Sequence, residues 1–173
     1  MHASGRLWVL RLAAAAMLLL VVARAALFTT YRVAGASMRE ALQDGDRIVV
    51  ASHPWLVQPV LAGDTVILRV DDEVLVKRVM ACPGDCIAMD RGHVLRNGAP
   101  VVEAIPAPLE GSDSFPEYHL RGDEYFVLGD NRRVSIDSRD FGPVHGWQVM
   151  GKVFLRMHGS EVSTVAALER GRR

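Results

Sequence analysis

The sequence is poor in the features that mark metalloproteins and nucleic-acid-binding proteins. Aromatic residues make up 6% of the 173 residues, and twenty basic side chains balance twenty acidic ones. A chain without excess positive charge lacks the basic face that binds phosphate backbones, and few aromatics leave little for bases to stack on. The six histidines are scattered without the spacing of metal ligands. We therefore expect no nucleic-acid partner, no metal site and no other cofactor.

Cysteine is also scarce, since only Cys82 and Cys86 occur. They flank Pro83-Gly84-Asp85, and a turn there brings two Cα atoms within disulfide range. Two small thiols packed in the interior give the same pattern. An oxidising compartment favours a bridge, so the sequence leaves the state of the two thiols open.

Long apolar runs are rare, and the one present extends from Leu7 to Phe28. Its twenty-two residues span about 33 Å as a helix, enough to cross a bilayer core. Arg11 and Arg24 each lie four residues from an end and can reach an interface. We interpret residues 1–28 as a membrane anchor. A cleaved secretory signal with Ala23-Arg24-Ala25 as its cleavage site is the alternative, and arginines at both ends leave the orientation open.

Beyond residue 28, short apolar runs alternate with turn signals, which is typical of β-strands. The predicted strands are Ile48–Ala51, Thr65–Val70, Val74–Met80, Cys86–Met89, His93–Leu95, Pro100–Val102, Glu124–Leu128 and, as the final strand, Val149–Met157. Asn97-Gly98 is a strong signal for a two-residue hairpin turn. Residues 103–122 are rich in proline, glycine and charge and predict a surface excursion, and the tail from Ser160 predicts a frayed helix.

These patterns predict a mostly β fold. We expect an antiparallel β core over residues 29–173, with a small β lobe inserted at about residues 86–122 and one N-terminal transmembrane helix. Outside the anchor, no helical run is long enough to form a core.

Two segments of this β region carry candidate chemistry. Ser37 follows Gly35 and Ala36, small residues that let another backbone approach, although an ordinary turn serine has the same neighbours. Lys77 interrupts the apolar run Val74–Met80. A desolvated lysine is one of the few alternatives to histidine as the base that activates a serine. We therefore pair Ser37 with Lys77 as candidate nucleophile and base.

A third segment, residues 129–142, is too polar for a strand interior. Loops this rich in charge and hydroxyls more often support a neighbouring group than react themselves. We expect Asp137 and Arg139 to pair and hold the loop, and Ser135 to hydrogen-bond a lysine amine brought alongside.

Together these segments resemble the type I signal peptidases, bacterial leader peptidases with a Ser-Lys dyad. The resemblance covers nearly the whole chain and rests on Ser37-Met38, Gly63-Asp64, Lys77-Arg78-Val79 through Pro83-Gly84-Asp85, and Gly129-Asp130-Asn131-Arg132 with Ser135 and Asp137-Ser138-Arg139. It implies a single-pass serine endopeptidase of the cytoplasmic (inner) membrane, in contact with its lipids. Its catalytic domain would lie on the extracytoplasmic side and remove signal peptides from secreted preproteins.

The resemblance also assigns residue roles. Ser37 is the nucleophile, Lys77 the general base and Ser135 the hydroxyl that orients Lys77, with Asp137, Arg139, Asp130 and Arg78 in support. The substrate would add as a strand between the segments before Ser37 and Lys77. The substrate-binding residues implied there are Val33, Gly35, Met38, Leu75 and Val76. Some members have a serine at the position of Gly35, so a second oxyanion donor is left open here.

Three other functions share some of these features. A maturation peptidase dedicated to a pilus or conjugation substrate would use the same dyad. A self-cleaving repressor would also use it, but needs a DNA-binding helical domain that the sequence does not show. A non-catalytic, membrane-tethered β-domain would need neither Ser37 nor Lys77.

Overall fold

The structure, a computed structural model, describes residues 8–9, 11–19, 27–39, 41–52, 59–102 and 114–165. Antiparallel β-sheet dominates these ranges, which confirms the predicted mostly β class. The strands are β1 (Phe28–Arg32), β2 (Arg47–Ala51), β3 (Thr65–Val70), β4 (Glu73–Ala81), β5 (Cys86–Asp90), β6 (His93–Arg96), β7 (Ala99–Pro100), β8 (Phe115–His119), β9 (Glu124–Leu128), β10 (Val144–His145), β11 (Val149–His158) and β12 (Glu161–Thr164). A short helix, α1 (Ser138–Phe141), lies between β9 and β10.

The larger sheet has the strand order β1-β2-β11-β3-β4-β9-β10, and β12 pairs with β11 outside that path. Strand β11 is ten residues long and pairs with both β2 and β3. Gly151 permits this close approach, because a Cβ there would collide with the Ala51 carbonyl and the Val50 side chain. Strand β4 pairs with β3 over Glu73–Arg78 and with β9 over Arg78–Ala81, so the two pairings overlap at Arg78.

The smaller sheet has the order β7-β6-β5-β8 and occupies the chain between β4 and β9. Its two-residue turns at Arg91-Gly92 and Asn97-Gly98 have positive φ at both positions. That backbone matches the twist of tightly paired strands. Its buried side chains include Ile87, Val94 and Leu120, which form a cluster of their own with Phe126 of β9.

Two predictions of local structure were wrong. Part of the predicted excursion, Phe115–His119, forms β8 and pairs with β5, and Phe115 packs on Phe126 with ring centroids 5.3 Å apart. Most of β8 is exposed, so the strand is stabilised by pairing along the edge of the sheet. Its sequence lacks the alternation of apolar and polar residues that would have predicted a strand. The predicted terminal helix is replaced over Glu161–Thr164 by β12, which pairs with β11, so Val149–Met157 is not the final strand.

The N-terminal segment is described in part. Residues 8–9 and 11–19 are helical, and residues 10 and 20–26, which include Ala23-Arg24-Ala25, lie outside the described residues. Among the described residues, no helix has both the length and the apolar character needed to cross a membrane. Phe28, at the end of the apolar run, is the first residue of β1 and packs edge-on against Phe154 at 5.9 Å.

Candidate active site

Ser37 lies half-buried on the turn that joins β1 to β2. Two backbone hydrogen bonds close the base of this turn, from the Val33 N–H to the Asp46 carbonyl (2.8 Å) and from the Gly45 N–H to the Val33 carbonyl (2.9 Å). Within the turn, Gly35 has φ +93°, a conformation that favours glycine. The nucleophile candidate therefore sits on a closed loop and not on a free segment.

The carboxylate of Asp46 secures the same turn, and sequence reasoning missed it. Its side chain is fully buried and accepts from the Gln43 N–H (2.8 Å) and Arg156 Nε (2.6 Å), and His158 Nδ1 lies 2.6 Å away. Burial acts to raise the pKa of Asp46, but these hydrogen bonds and the Arg156 charge outweigh it, so that pKa lies below its ordinary value. An ionised Asp46 thus ties the Ser37 turn to β11.

Met38 anchors the turn from the other side of Ser37. It is 1% exposed and belongs to a buried cluster with Ile67 of β3, against which Val76 of β4 packs. Its Sδ accepts the Asp130 N–H at 3.5 Å, which links the turn to the polar loop after β9.

Lys77 is buried in the middle of β4, with 2% of its surface exposed. Its Nζ donates to Ser135 Oγ at 3.1 Å, and within the described residues no carboxylate forms an ion pair with it. Burial lowers the pKa of Lys77, while the charge of Asp137 acts to raise it. Because burial is the larger effect, the pKa of Lys77 lies below its ordinary value, which makes the neutral form that a general base requires more accessible.

Ser135 is held in turn by Asp137, whose side chain is fully buried. Burial acts to raise the pKa of Asp137, but the Arg139 side chain, the Gly129 N–H and the Ser135 hydroxyl outweigh it, so that pKa is lowered. An ionised Asp137 beside Ser135 favours a hydroxyl whose hydrogen is turned toward the carboxylate. The Ser135 oxygen then accepts from Lys77 Nζ at 3.1 Å, which fixes the position of the amine.

Gly129 brings the Ser37 turn and Ser135 together. A Cβ at this position would lie 2.7 Å from the Ser37 carbonyl oxygen and would collide with Ser135 Oγ. Asn131 completes the contact, because its N–H donates to the Ser37 carbonyl (2.9 Å) and its Nδ2 donates to the Ala36 carbonyl (3.2 Å). At Gly129 the loop after β9 therefore contacts both the Ser37 turn and Ser135, the hydrogen-bond partner of Lys77.

Two arginine–aspartate pairs stabilise this arrangement. Arg78 donates two hydrogen bonds to the Asp130 carboxylate (2.7 and 2.8 Å) and a further one to the Gly63 carbonyl (2.8 Å). Arg139 contacts both Asp137 oxygens (2.9 and 3.0 Å). Charge-assisted, two-pronged bonds of this kind constrain orientation as well as distance.

The predicted residues do not all make direct contact. Within the described part of the chain, neither the hydroxyl nor the N–H of Ser37 forms a hydrogen bond, and its contact with the loop runs through its carbonyl. Of the residues expected to bind substrate, Val33, Met38 and Val76 pack into one cluster. Gly35 is exposed, and Leu75 packs against a different cluster that contains Val79 and Val127.

The cysteines form no disulfide in the structure. Cys82 Sγ points to the Val60 carbonyl (3.9 Å), whereas Cys86 Sγ lies 3.2 Å from His119 Nδ1. Within the described residues, no group of three or more His, Cys, Asp or Glu side chains is arranged to hold a metal ion.

Comparison with known proteins places the chain in a family. The family model described as signal peptidase, peptidase S26, matches residues 6–158. The chain belongs to the peptidase S26 family. It is therefore a hydrolase of the serine peptidase type, which confirms the predicted enzyme class.

Curated members of the peptidase S26 family match over most of their length. The signal peptidase I of Bacillus amyloliquefaciens is 36% identical over 134 residues, which cover 72% of each chain. The signal peptidase I of Bacillus licheniformis is 35% identical over 146 residues, 77% of each chain. A solved signal peptidase I structure from Enterococcus faecalis V583 aligns with a TM-score of 0.49 at 24% identity, covering 55% of this chain and 97% of that one.

Proposed function

We propose that this chain is a membrane-anchored serine endopeptidase that removes signal peptides from exported preproteins through a dyad of Ser37 and Lys77. The observation that carries the proposal is the buried Lys77 amine, which is bonded to a hydroxyl and not to a carboxylate. A buried cation without an ion-pair partner is costly, and retaining one is most readily explained by chemistry that uses the neutral form.

The reaction follows from this arrangement. Neutral Lys77 takes the Ser37 proton, and Ser37 Oγ attacks the scissile carbonyl carbon to form a tetrahedral intermediate. The ammonium returns the proton to the leaving amine, which leaves an acyl-enzyme. Lys77 then deprotonates a water molecule that attacks the ester carbonyl, and it returns this proton to Ser37 Oγ as the new carboxyl group leaves. Ser135 and Asp137 keep the amine in place through both halves of the cycle.

The Ser37 N–H is the oxyanion donor in this proposal. It forms no hydrogen bond within the described residues, so it is available to a substrate oxygen. Gly35 contributes no side-chain donor. One oxyanion donor is worth about 2.7–4 kcal/mol of transition-state stabilisation, so this N–H contributes roughly 10²–10³-fold to the proposed rate.

Preproteins would bind as an added strand beside the segments that precede Ser37 and Lys77. In support, Val33, Met38 and Val76 lie in one cluster and Gly35 is exposed. Leu75 would contact substrate through its half-exposed side chain.

Residues 1–28 are proposed to anchor the enzyme in the cytoplasmic membrane as a single pass, with the β domain on the extracytoplasmic side. Support comes from the helical residues 11–19, where Leu18 and Leu19 expose 65% and 71% of their surface. Apolar side chains that face outward on a helix favour contact with lipid tails. A substrate held in the same membrane would then meet the site at raised local concentration.

Preprotein cleavage by the full chain in detergent tests the dyad. We expect Ser37→Ala and Lys77→Met to abolish cleavage, because one removes the nucleophile and the other the base. Lys152→Met is the matched control: Lys152 is the other lysine of the chain, and it forms an ion pair with Asp64 at 2.7 Å. Cleavage that survives in Lys77→Met, or is lost equally in a folded Lys152→Met, contradicts the assignment.

A further inference from the structure

A polar cavity of about 480 Å³ lies between the loop after β9 and the start of β8. Ser135 forms part of its wall, so the cavity reaches the residue that holds Lys77. Phe115 of β8 contributes the wall on the side of the smaller sheet. We call this space the arginine cavity, because Arg132, Arg133 and Arg139 line it.

Guanidinium groups outnumber carboxylates in this wall by three to one. The one carboxylate is Asp140, whose Oδ2 accepts the Asp137 N–H at 2.9 Å as part of the cap of α1. Arg132 and Arg139 are fixed by the loop, through the Gly129 carbonyl and through Asp137. Asp137, which pairs with Arg139 behind the wall, reduces this excess to three arginines against two aspartates, and the remaining positive charge favours anions.

Arg133 differs from the other two arginines. Its side chain is exposed, and within the described residues it forms no hydrogen bond or ion pair. It is therefore free to meet an incoming group. A guanidinium fork presents two parallel N–H donors, a geometry that matches a carboxylate.

The position of the cavity indicates which part of a preprotein it meets. In the proposed function, residues before the cut run beside the segments that precede Ser37 and Lys77. The arginine cavity is built from the loop after β9 and from β8, and none of its wall comes from those segments. A chain that leaves the scissile bond on the side away from those segments, toward Ser135, reaches this cavity.

We propose that the arginine cavity is a specificity site that binds an acidic side chain carried by the preprotein shortly after the scissile bond. This inference rests on the proposed function. Carboxylates bound there raise kcat/KM for precursors whose mature part begins with acidic residues. The preference is electrostatic and therefore weakens as salt rises.

Matched precursors test it, identical except for Glu, Gln or Lys at the second and third positions after the cut. With the full chain in neutral detergent at low salt, we expect wild type to cleave the Glu precursor roughly two- to fivefold faster than the Gln precursor, as judged by kcat/KM and as expected for a partly exposed ion pair. Arg133→Gln should bring this ratio close to one, and Arg133→Glu should invert the ranking of Glu and Lys. Arg91→Gln, at an arginine whose side chain is 80% exposed in the smaller sheet, should keep the wild-type ratio.

The Glu/Gln ratio is internal to each variant, so a general loss of activity does not affect it. Equal ratios in wild type, Arg133→Gln and Arg133→Glu overturn the inference and leave the dyad intact, provided that cleavage still requires Ser37. Cleavage that persists in Ser37→Ala instead overturns the proposed function. A charge preference that appears in vesicles of anionic phospholipid but not in detergent assigns the arginines to lipid headgroups and also overturns the inference.

Discussion

Gly129→Ala tests whether one backbone position sets the geometry of both reacting groups. The added methyl group would collide with Ser135 Oγ and lie 2.7 Å from the Ser37 carbonyl, and Cβ atoms essentially never approach other atoms this closely. Relief requires Ser135 to leave Lys77, or the Ser37 turn to move away from the loop. Overpacking at a buried site costs about 1–3 kcal/mol of folding free energy. A displacement near 1 Å in an active site costs roughly a hundredfold in rate.

Two measurements separate these effects. Denaturant unfolding reports the stability loss, and steady-state cleavage of a preprotein reports kcat and KM. We expect kcat to fall by roughly ten- to a hundredfold in folded Gly129→Ala while KM changes little, because the substrate path before the cut is untouched. Gly122→Ala is the control, since a Cβ there meets nothing within 4 Å and φ lies outside the left-handed region. Wild-type kcat in Gly129→Ala would refute the reasoning.

Other consequences of the site can be measured in the same way. Lys77→Met should unfold less readily than wild type at neutral pH. The gain in unfolding free energy should be about 1.4 kcal/mol for each unit by which folding lowers the pKa of Lys77. Because the unfolded chain binds the Lys77 proton more tightly, this gain should fade as the pH rises toward about 10.4. Ser135→Ala should lower kcat more than it raises KM and cost about 1–2 kcal/mol of stability, because it removes a buried hydrogen-bonding group from Lys77 and Asp137. Asp46→Asn should destabilise the fold by about 3–5 kcal/mol, because Arg156 loses its buried carboxylate partner. The lowered pKa of Asp46 means that its contribution is present above about pH 3.9 and is lost below it, so denaturation curves of wild type and Asp46→Asn should converge in acid.

The strands that flank the site could be predicted because their signals are local. Thr65–Val70 and Val74–Met80 are apolar runs around an acidic turn, and Asn97-Gly98 dictates its own turn geometry. Strand β8 could not be read in this way. Its residues are mostly exposed and include Pro116, and the strand exists because the edge of β5 offers a partner. Strand β12 likewise depends on pairing with β11, and the sequence of the tail alone does not predict that pairing.

The same distinction applies to the candidate site. Lys77 stood out because a charge inside an apolar strand needs an explanation, and Ser135 followed from the expectation that the amine has a hydroxyl partner. Asp46 gave no such signal, since Asp44-Gly45-Asp46 is an ordinary turn sequence and its partners Arg156 and His158 lie more than a hundred residues away. Gly129 was part of a motif, but its function as a meeting point depends on a contact that only the folded chain creates.

The hydrogen bond between Lys77 and Ser135 joins residues 58 positions apart. A nascent chain that ends before β9 already contains the proposed nucleophile and base, yet it lacks Ser135, the hydroxyl that holds the Lys77 amine. In the proposed mechanism such an intermediate should be unable to cut peptide bonds, including its own. Activity would therefore begin only after the segment that carries Ser135 has been synthesised and has paired with β4.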